Sequence, residues 1–183
     1  MAGGEEQADS PGRLAPAASD RLEDWMTRFG PSVLHFAYSR LRHAQEAQDV
    51  FQEVFVRAHL EGETLRDPDR IRAWLLSVTA NLCRDRSRSQ LRRPEHTAGA
   101  GLPDIPDTTG DPAQRAMERA RDENLWRKVL ALAPDQRDVI VLYYFEGLGV
   151  GPIAEILGVS REVVKARLHR ARARLRQLLP EEG

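Results

Sequence analysis

The sequence predicts an all-α protein: two small helical domains joined by a flexible linker, the second containing a helix-turn-helix. Three observations carry this. Apolar residues recur at spacings of three and four through most of the chain, as they do on one face of an α-helix. Between Pro94 and Asp111 that period gives way to proline, glycine, threonine and aspartate, the composition of a linker. A short apolar stretch ending at Gly158 is followed by a long basic one, and both have helical spacing. The expected division is a disordered tail over 1–19, a first domain over 20–92, a linker over 93–111 and a second domain over 112–180.

The tail is rich in Ala, Gly, Pro and Ser, which cannot bury enough apolar surface to order a chain. From Asp20 onward, Trp25, Phe29, Val33, Phe36 and Ala37 mark a helix, with Gly30-Pro31 as a break or new start. In the next segment, Ala44 to Leu60, an apolar face is formed by Ala47, Val50, Phe51, Val54, Phe55 and Ala58. Opposite it stand Gln45, Asp49, Gln52, Glu53 and Val56. A merely solvated face usually carries opposite charges in i, i+4 pairs. An acidic, amide-rich face with one valine suits docking to a basic partner, although a solvated surface is also open. Glu61 to Asp69 reads as a loop of turn-favouring residues.

A long helix follows from Arg70 to Arg93, with Ile71, Leu75, Val78 and Leu82 as its core stripe. Beside that stripe Trp74, Ser77, Asn81, Arg84 and Arg88 form a row. An aromatic, an amide and arginines together can stack on unpaired bases and hold phosphates; Trp74 could equally close the edge of the core. Helical patterning resumes near Pro112 with Met117, Leu125, Trp126, Val129 and Leu132, then again from Pro134 to Gly147.

The helix expected over Ser160–Leu179 places Val164, Leu168, Ala171, Leu175 and Leu178 on one stripe. Its basic residues all lie off that stripe: Arg161, Lys165, Arg172 and Arg176 on one flank, Arg167, Arg170 and Arg174 on the other. Ser160 is a suitable N-cap, and Glu162 lies in the first turn, where the helix dipole favours an anion. No capping box forms, because the third residue after the cap is Val163. A short helix, a glycine turn and a basic helix make the helix-turn-helix pattern, whose second helix enters the DNA major groove.

Composition narrows the remaining classes. A net charge of −1 in 183 residues gives no global attraction to nucleic acid; the charge is segregated, with basic clusters at Arg84–Arg93 and Arg161–Arg176. Segregation suits a chain that touches DNA in places and a protein partner elsewhere. The single cysteine, Cys83, allows no intrachain disulfide and no multi-cysteine metal site, and reads as a buried thiol. His35, His43, His59, His96 and His169 show no metal-ligand spacing, and no phosphate-cradling glycine loop is present. The reading therefore expects no metal, no cofactor and no enzymatic activity. It finds no signal-peptide core and no apolar run near eighteen residues, so it expects a cytoplasmic protein without membrane insertion.

Three stretches, in order, resemble the extracytoplasmic-function class of bacterial RNA polymerase sigma factors. The first, AQDVFQEVFVRA, is similar to the family's core-binding helix through Asp49, Gln52, Glu53, Val54 and Phe55, with Gln48 where glutamate is common. IRAWLLSVTANLCRDRSR resembles the promoter-melting helix through Arg72, Ala73, Trp74, Leu75, Asn81 and Asp85. GVSREVVKARLHRARARL resembles the upstream-element recognition helix through Val164, Lys165, Arg167, Leu168, Arg170, Ala171 and Arg172. The sequence departs from the family at Val163 and Ala166, and at Gly149-Val150-Gly151-Pro152, which replaces a Ser-Tyr-Glu-Glu type of helix start.

The resemblance implies a promoter-specificity subunit whose partners are the RNA polymerase core, through the clamp of its largest subunit, and promoter DNA. Asp49, Gln52, Glu53 and Val56 would bind polymerase. Trp74, Ser77, Asn81, Arg84 and Arg88 would hold the melted strand of the minus-ten element. On the last helix, Lys165, His169 and Arg170 would read the minus-thirty-five element, with Ser160, Arg161, Arg167 and Arg172 beside them, chiefly on phosphates. Family members are commonly held inactive by an anti-sigma factor, which adds that class of partner. Counted from Leu91 to Asp111 the linker has 21 residues, so it reaches at most about 70 Å. Elements about 17 base pairs apart lie on the order of 58 Å from each other at 3.4 Å per step, within that reach.

Two other classes compete with this reading. A helix-turn-helix regulator that needs no polymerase would leave the acidic face and the Trp74–Asn81 row without a role. It would bind duplex DNA tightly by itself. A nucleic-acid enzyme would need catalytic groups, and the paired acids Asp67 and Asp69 lie in a turn. Chelator-sensitive nuclease activity would mark that class.

Overall fold

A computed structural model describes residues 18–61, 67–90 and 123–178. Among them every regular element is a helix. The tail expected over 1–19, apart from Ala18 and Ser19, lies outside the described residues, as do the linker expected over 93–111, Met117 and Leu179.

Helix α1 spans Ala18–Leu41 and α2 spans Ala44–Glu61. α1 runs without interruption through Gly30-Pro31, where the sequence reading expects a break. Proline inside a helix costs about 3 kcal/mol. Burial on both sides of it opposes that cost: Trp25 and Phe29 before, Val33, Phe36 and Ala37 after, all packed in one core. α2 comes close at Gly30, where a Cβ would lie 3.2 Å from the Phe51 ring. Between the helices Arg42 takes a left-handed conformation (φ 57°), and His43 Nδ1 accepts the Glu46 N–H at 3.3 Å, capping α2.

α3, Pro68–Gln90, packs on both α1 and α2. Its expected stripe is buried at Ile71, Leu75 and Leu82, with Val78 half-buried. Leu76, Thr79, Ala80 and Cys83 are buried as well, so α3 hides two faces instead of one. Thr79 Oγ1 donates to the Leu75 carbonyl at 2.7 Å and Ser39 Oγ to the Phe36 carbonyl at 2.8 Å, which satisfies both buried hydroxyls within their own helices. Burial pushes the Cys83 thiol up to about 12, so it is an inert core residue.

The second unit begins with α4, helical over 123–130. α5, Pro134–Ile140, continues into a five-residue π turn, Val141–Phe145, closed by Glu146 N–H to the Val141 carbonyl at 3.0 Å. α6 is Val150–Leu157, and α7 is Arg161–Leu178. Gly158 is left-handed (φ 65°), and the Val159 N–H reaches back to the Ala154 carbonyl at 3.0 Å, the Schellman end that turns the chain from α6 into α7. Val164, Leu168 and Ala171 are buried against the unit, while Leu175 and Leu178 are half-buried.

The sequence leaves the relative placement of the two units open; in the structure they meet. Buried side chains from both form one continuous cluster, with α1 on α5 and α3 on α6. At this junction His35 stacks obliquely on Trp126, ring centroids 5.8 Å apart. Burial holds the His35 imidazole below its ordinary pKa, and the nearby Glu146 carboxylate only partly opposes this.

Two measurements follow from these features. Gly158→Ala puts a side chain where φ is positive and should lower unfolding stability by about 1–2 kcal/mol, read by urea denaturation. As pH falls through the ordinary histidine range, the unfolded imidazole takes its proton before the buried His35, so acid draws the chain toward the unfolded state. Thermal melts between about pH 7 and pH 5 should therefore lose stability, and His35→Gln should make that loss shallower. Asp138, whose pKa burial raises, works in the opposite sense and is unchanged in the variant.

Candidate nucleic-acid interface

α7 presents its polar side to solvent because its apolar stripe is spent on α5 and α6. Ser160 caps it, with the Val163 N–H directed to Ser160 Oγ at 3.3 Å. The Glu162 carboxyl lies below its ordinary pKa through hydrogen bonds from its own N–H and from Ser160, with Lys165 and Arg161 nearby. Lys165, Ala166, His169 and Arg170 are exposed. The other basic residues expected to contact DNA are engaged within the protein to different degrees. Arg167 is half-buried and pairs with Asp135 of α5 at 3.4 Å. Arg172 donates from Nε to Tyr144 Oη at 2.9 Å and lies over the Tyr143 and Tyr144 rings at 5.3 and 5.6 Å. Arg161 folds back over α6, where a Cβ on Gly151 would approach its guanidinium to 3.3 Å. The atypical Gly149–Pro152 start thus leaves room for an arginine.

The row on α3 divides. Trp74 and Ser77 are half-buried, with Trp74 packed on the core, while Asn81 and Arg88 are exposed. Arg84 Nη1 donates to Asn81 Oδ1 at 2.9 Å, and its Nη2 points to the Leu157 carbonyl of α6 at 3.4 Å. Arg72 gives its guanidinium to both the carboxylate and the carbonyl of Glu146, at 2.6 and 2.5 Å.

On α2, Gln52 and Val56 are exposed, the valine at 58%, while Asp49 and Glu53 are half-buried and paired. Arg57 reaches Glu53 at 2.7 Å, and Arg86 of α3 lies 3.6 Å from Asp49 and 3.5 Å from Glu53. At such exposures these pairs contribute at most about 1 kcal/mol each, so a stronger basic partner can displace them. The sequence reading does not single out Arg86, although it lies within the basic cluster from Arg84. Its reach to α2 depends on how the two helices cross.

An open apolar hollow of about 630 Å³ lies between α4, the π turn and α7, lined by Leu125, Val129, Tyr144, Phe145 and Leu175 with Arg172 and Arg176 on its rim. Among the described residues no cluster of His, Cys, Asp and Glu can hold a metal ion, and no helix is long and apolar enough to cross a membrane.

Residues 25–93 match the family described as Sigma-70 region 2, and residues 122–175 match Sigma-70, region 4. The ECF RNA polymerase sigma factor SigM of Mycobacterium tuberculosis (strain ATCC 25618 / H37Rv) is 31% identical over 179 residues, covering 97% of this chain and 87% of that protein. The probable RNA polymerase sigma factor RfaY of Xanthomonas campestris pv. campestris is 33% identical over 150 residues, but that match spans 81% of this chain and 38% of the longer relative. Among solved structures, the sigma factor RpoE bound to the anti-sigma factor NepR, from Bartonella quintana, superposes with a TM-score of 0.70 at 20% identity, over 90% of this chain and 99% of that one. CnrH, solved with the cytosolic domain of CnrY, gives 0.58 at 27% identity over 90% and 91%. With the helix-turn-helix, the two region matches in order and a relative this similar over nearly its whole length, the chain belongs to the extracytoplasmic-function class of RNA polymerase sigma factors.

Proposed function

We propose that this sigma factor binds core polymerase through α2, reads a minus-thirty-five element through α7 and holds the melted minus-ten strand on α3. The observation that carries the reading is the division of exposed chemistry among three helices. α7 offers Lys165, His169 and Arg170 on a helix fixed by its cap and its buried stripe. α3 offers Asn81 and Arg88 beside Trp74, and α2 offers Gln52 and Val56 between two carboxylates held only by surface pairs. Of the other residues expected on phosphates, Arg161 is exposed, whereas Arg167 would first leave its ion pair with Asp135 and Arg172 its hydrogen bond to Tyr144.

Opening a base pair and unstacking one base costs a few kcal/mol. Stacking on an aromatic contributes about 1–3 kcal/mol per base, and phosphate contacts from Arg84 and Arg88 add to it. The balance needs no nucleotide hydrolysis, so the protein acts as a binding subunit and the polymerase supplies the catalysis. Its site of action is then the cytoplasm. The apolar hollow with its arginine rim suits an amphipathic, acidic helix of a protein partner, the chemistry expected of an anti-sigma factor.

Run-off transcription with core polymerase and a library of promoter sequences tests this reading; failure to start RNA at any template would overturn it. Lys165→Ala should weaken initiation and relax base preference at one upstream position. Four neutralised phosphates imply a slope near −3.6 for log affinity against log salt, and a flat response would remove the groove-docked helix. Replacing Asp49 and Glu53 by lysine should abolish copurification with core polymerase while circular dichroism stays helical.

A further inference from the structure

We infer that Arg86 sets the affinity of the polymerase-docking face by competing for it. The guanidinium of this α3 residue occupies Asp49 and Glu53 in the free protein, where a basic side chain of the polymerase has to replace it. The inference rests on the reading of α2 as the docking helix.

Asp49, Gln52, Glu53 and Val56 share one face of α2, since they are spaced as i, i+3, i+4 and i+7. In sequence this face is acidic; in the fold, two guanidiniums answer its two carboxylates. Arg57 comes from α2 itself, one turn beyond Glu53, and donates to it at 2.7 Å. Arg86 comes from α3, and its fork spans both acids: Nη1 lies 3.6 Å from Asp49 and Nη2 lies 3.5 Å from Glu53. A partner that covers the exposed Gln52 and Val56 therefore finds the charges beside them already matched.

The two pairs made by Arg86 are the loose ones. A charge-assisted bond from a guanidinium to a carboxylate normally measures about 2.7–2.9 Å, so Arg86 is held by charge more than by close bonding. Both acids keep a partner on their own helix when it leaves: Gln45 Nε2 donates to Asp49 at 3.2 Å, and Arg57 stays on Glu53. The displaced guanidinium still has the Glu46 carbonyl beside it, 3.5 Å from Nη1. Its side chain is already 30% exposed, so returning it to water costs little. If Arg86 stays in place instead, its charge repels the incoming cation. Displacement and repulsion both weaken docking, so they act in one direction. An arginine that held the carboxylates ready for the partner would act in the opposite direction, and a single substitution separates the two by sign.

The test measures binding of the full chain to core polymerase, without DNA, by the fluorescence anisotropy of a dye on the N-terminal amine. Arg86→Gln removes the charge and keeps an amide. Its affinity should rise about fivefold, the ratio for one well-formed exposed ion pair. Arg86→Lys keeps the charge but cannot fork across two acids, so its affinity should fall between those of wild type and Arg86→Gln. In a Glu53→Gln chain Arg86 has lost one of its acids, and Arg86→Gln should then gain less than it does in wild type. Cooperative thermal melts establish that each variant is folded; should Arg86→Gln fail to fold, Arg86→Lys tests the same sign. Equal or weaker binding by the folded variants would overturn the inference. So would an undiminished gain in the Glu53→Gln chain, because the charge would then be acting at a distance. Failure of the docking reading looks different: Asp49→Asn and Glu53→Gln would bind core polymerase as wild type does, or wild type would not bind it at all.

Discussion

Arg137 and Asp138 are adjacent, both buried, and both belong to the seam between α1 and α5. How these charges are accommodated shapes the α1–α5 side of the junction, beside the α3–α6 side held by Arg72 and Arg84. Burial pushes the Asp138 carboxyl up, against the pull of Arg40 and Arg137. The same desolvation pushes the Arg137 guanidinium down, with Arg42 and Arg40 adding repulsion. Charges removed from water need nearly perfect partners before they stabilise a fold, and these are paired but incompletely bonded.

On α7 Lys165, His169 and Arg170 are exposed, while Arg167 and Arg172 find partners in Asp135 and Tyr144. On α3 the division follows from two buried faces: one holds the first unit's core together, the other meets α6. The arginines at the border between these faces, Arg72 and Arg84, reach across to Glu146 and Leu157. On α2 Gln52 and Val56 stay exposed, while Arg57 and Arg86 hold the half-buried Asp49 and Glu53.

The periodicity of the chain made most elements legible. α2, α3 and α7 lie close to their expected ranges, and Ser160, Gly158 and the Val164–Leu168–Ala171 stripe act as their residue types dictate. Where the reading differs, local rules were overruled by packing at a distance. Gly30-Pro31 carries a breaker's signature, yet the helix continues because apolar side chains on both sides of it enter one core. The π turn at Val141–Phe145 leaves no mark, since one extra residue in a hydrogen-bonded loop alters no composition. Arg72, Arg86 and Arg137 look like ordinary surface arginines in sequence; their partners lie 74, 33 and 98 residues away.

Helix positions, the glycine turn and the placement of Lys165, His169 and Arg170 on the exposed side of α7 were determined by the sequence itself, because each depends on neighbours within a few residues of the chain. The joining of two units into one core, the pairing of the acidic face with Arg86 and the engagement of Arg84 at α6 were decided by the tertiary structure. Those depend on which helix faces meet, and many chains with the same local pattern could bring different faces together.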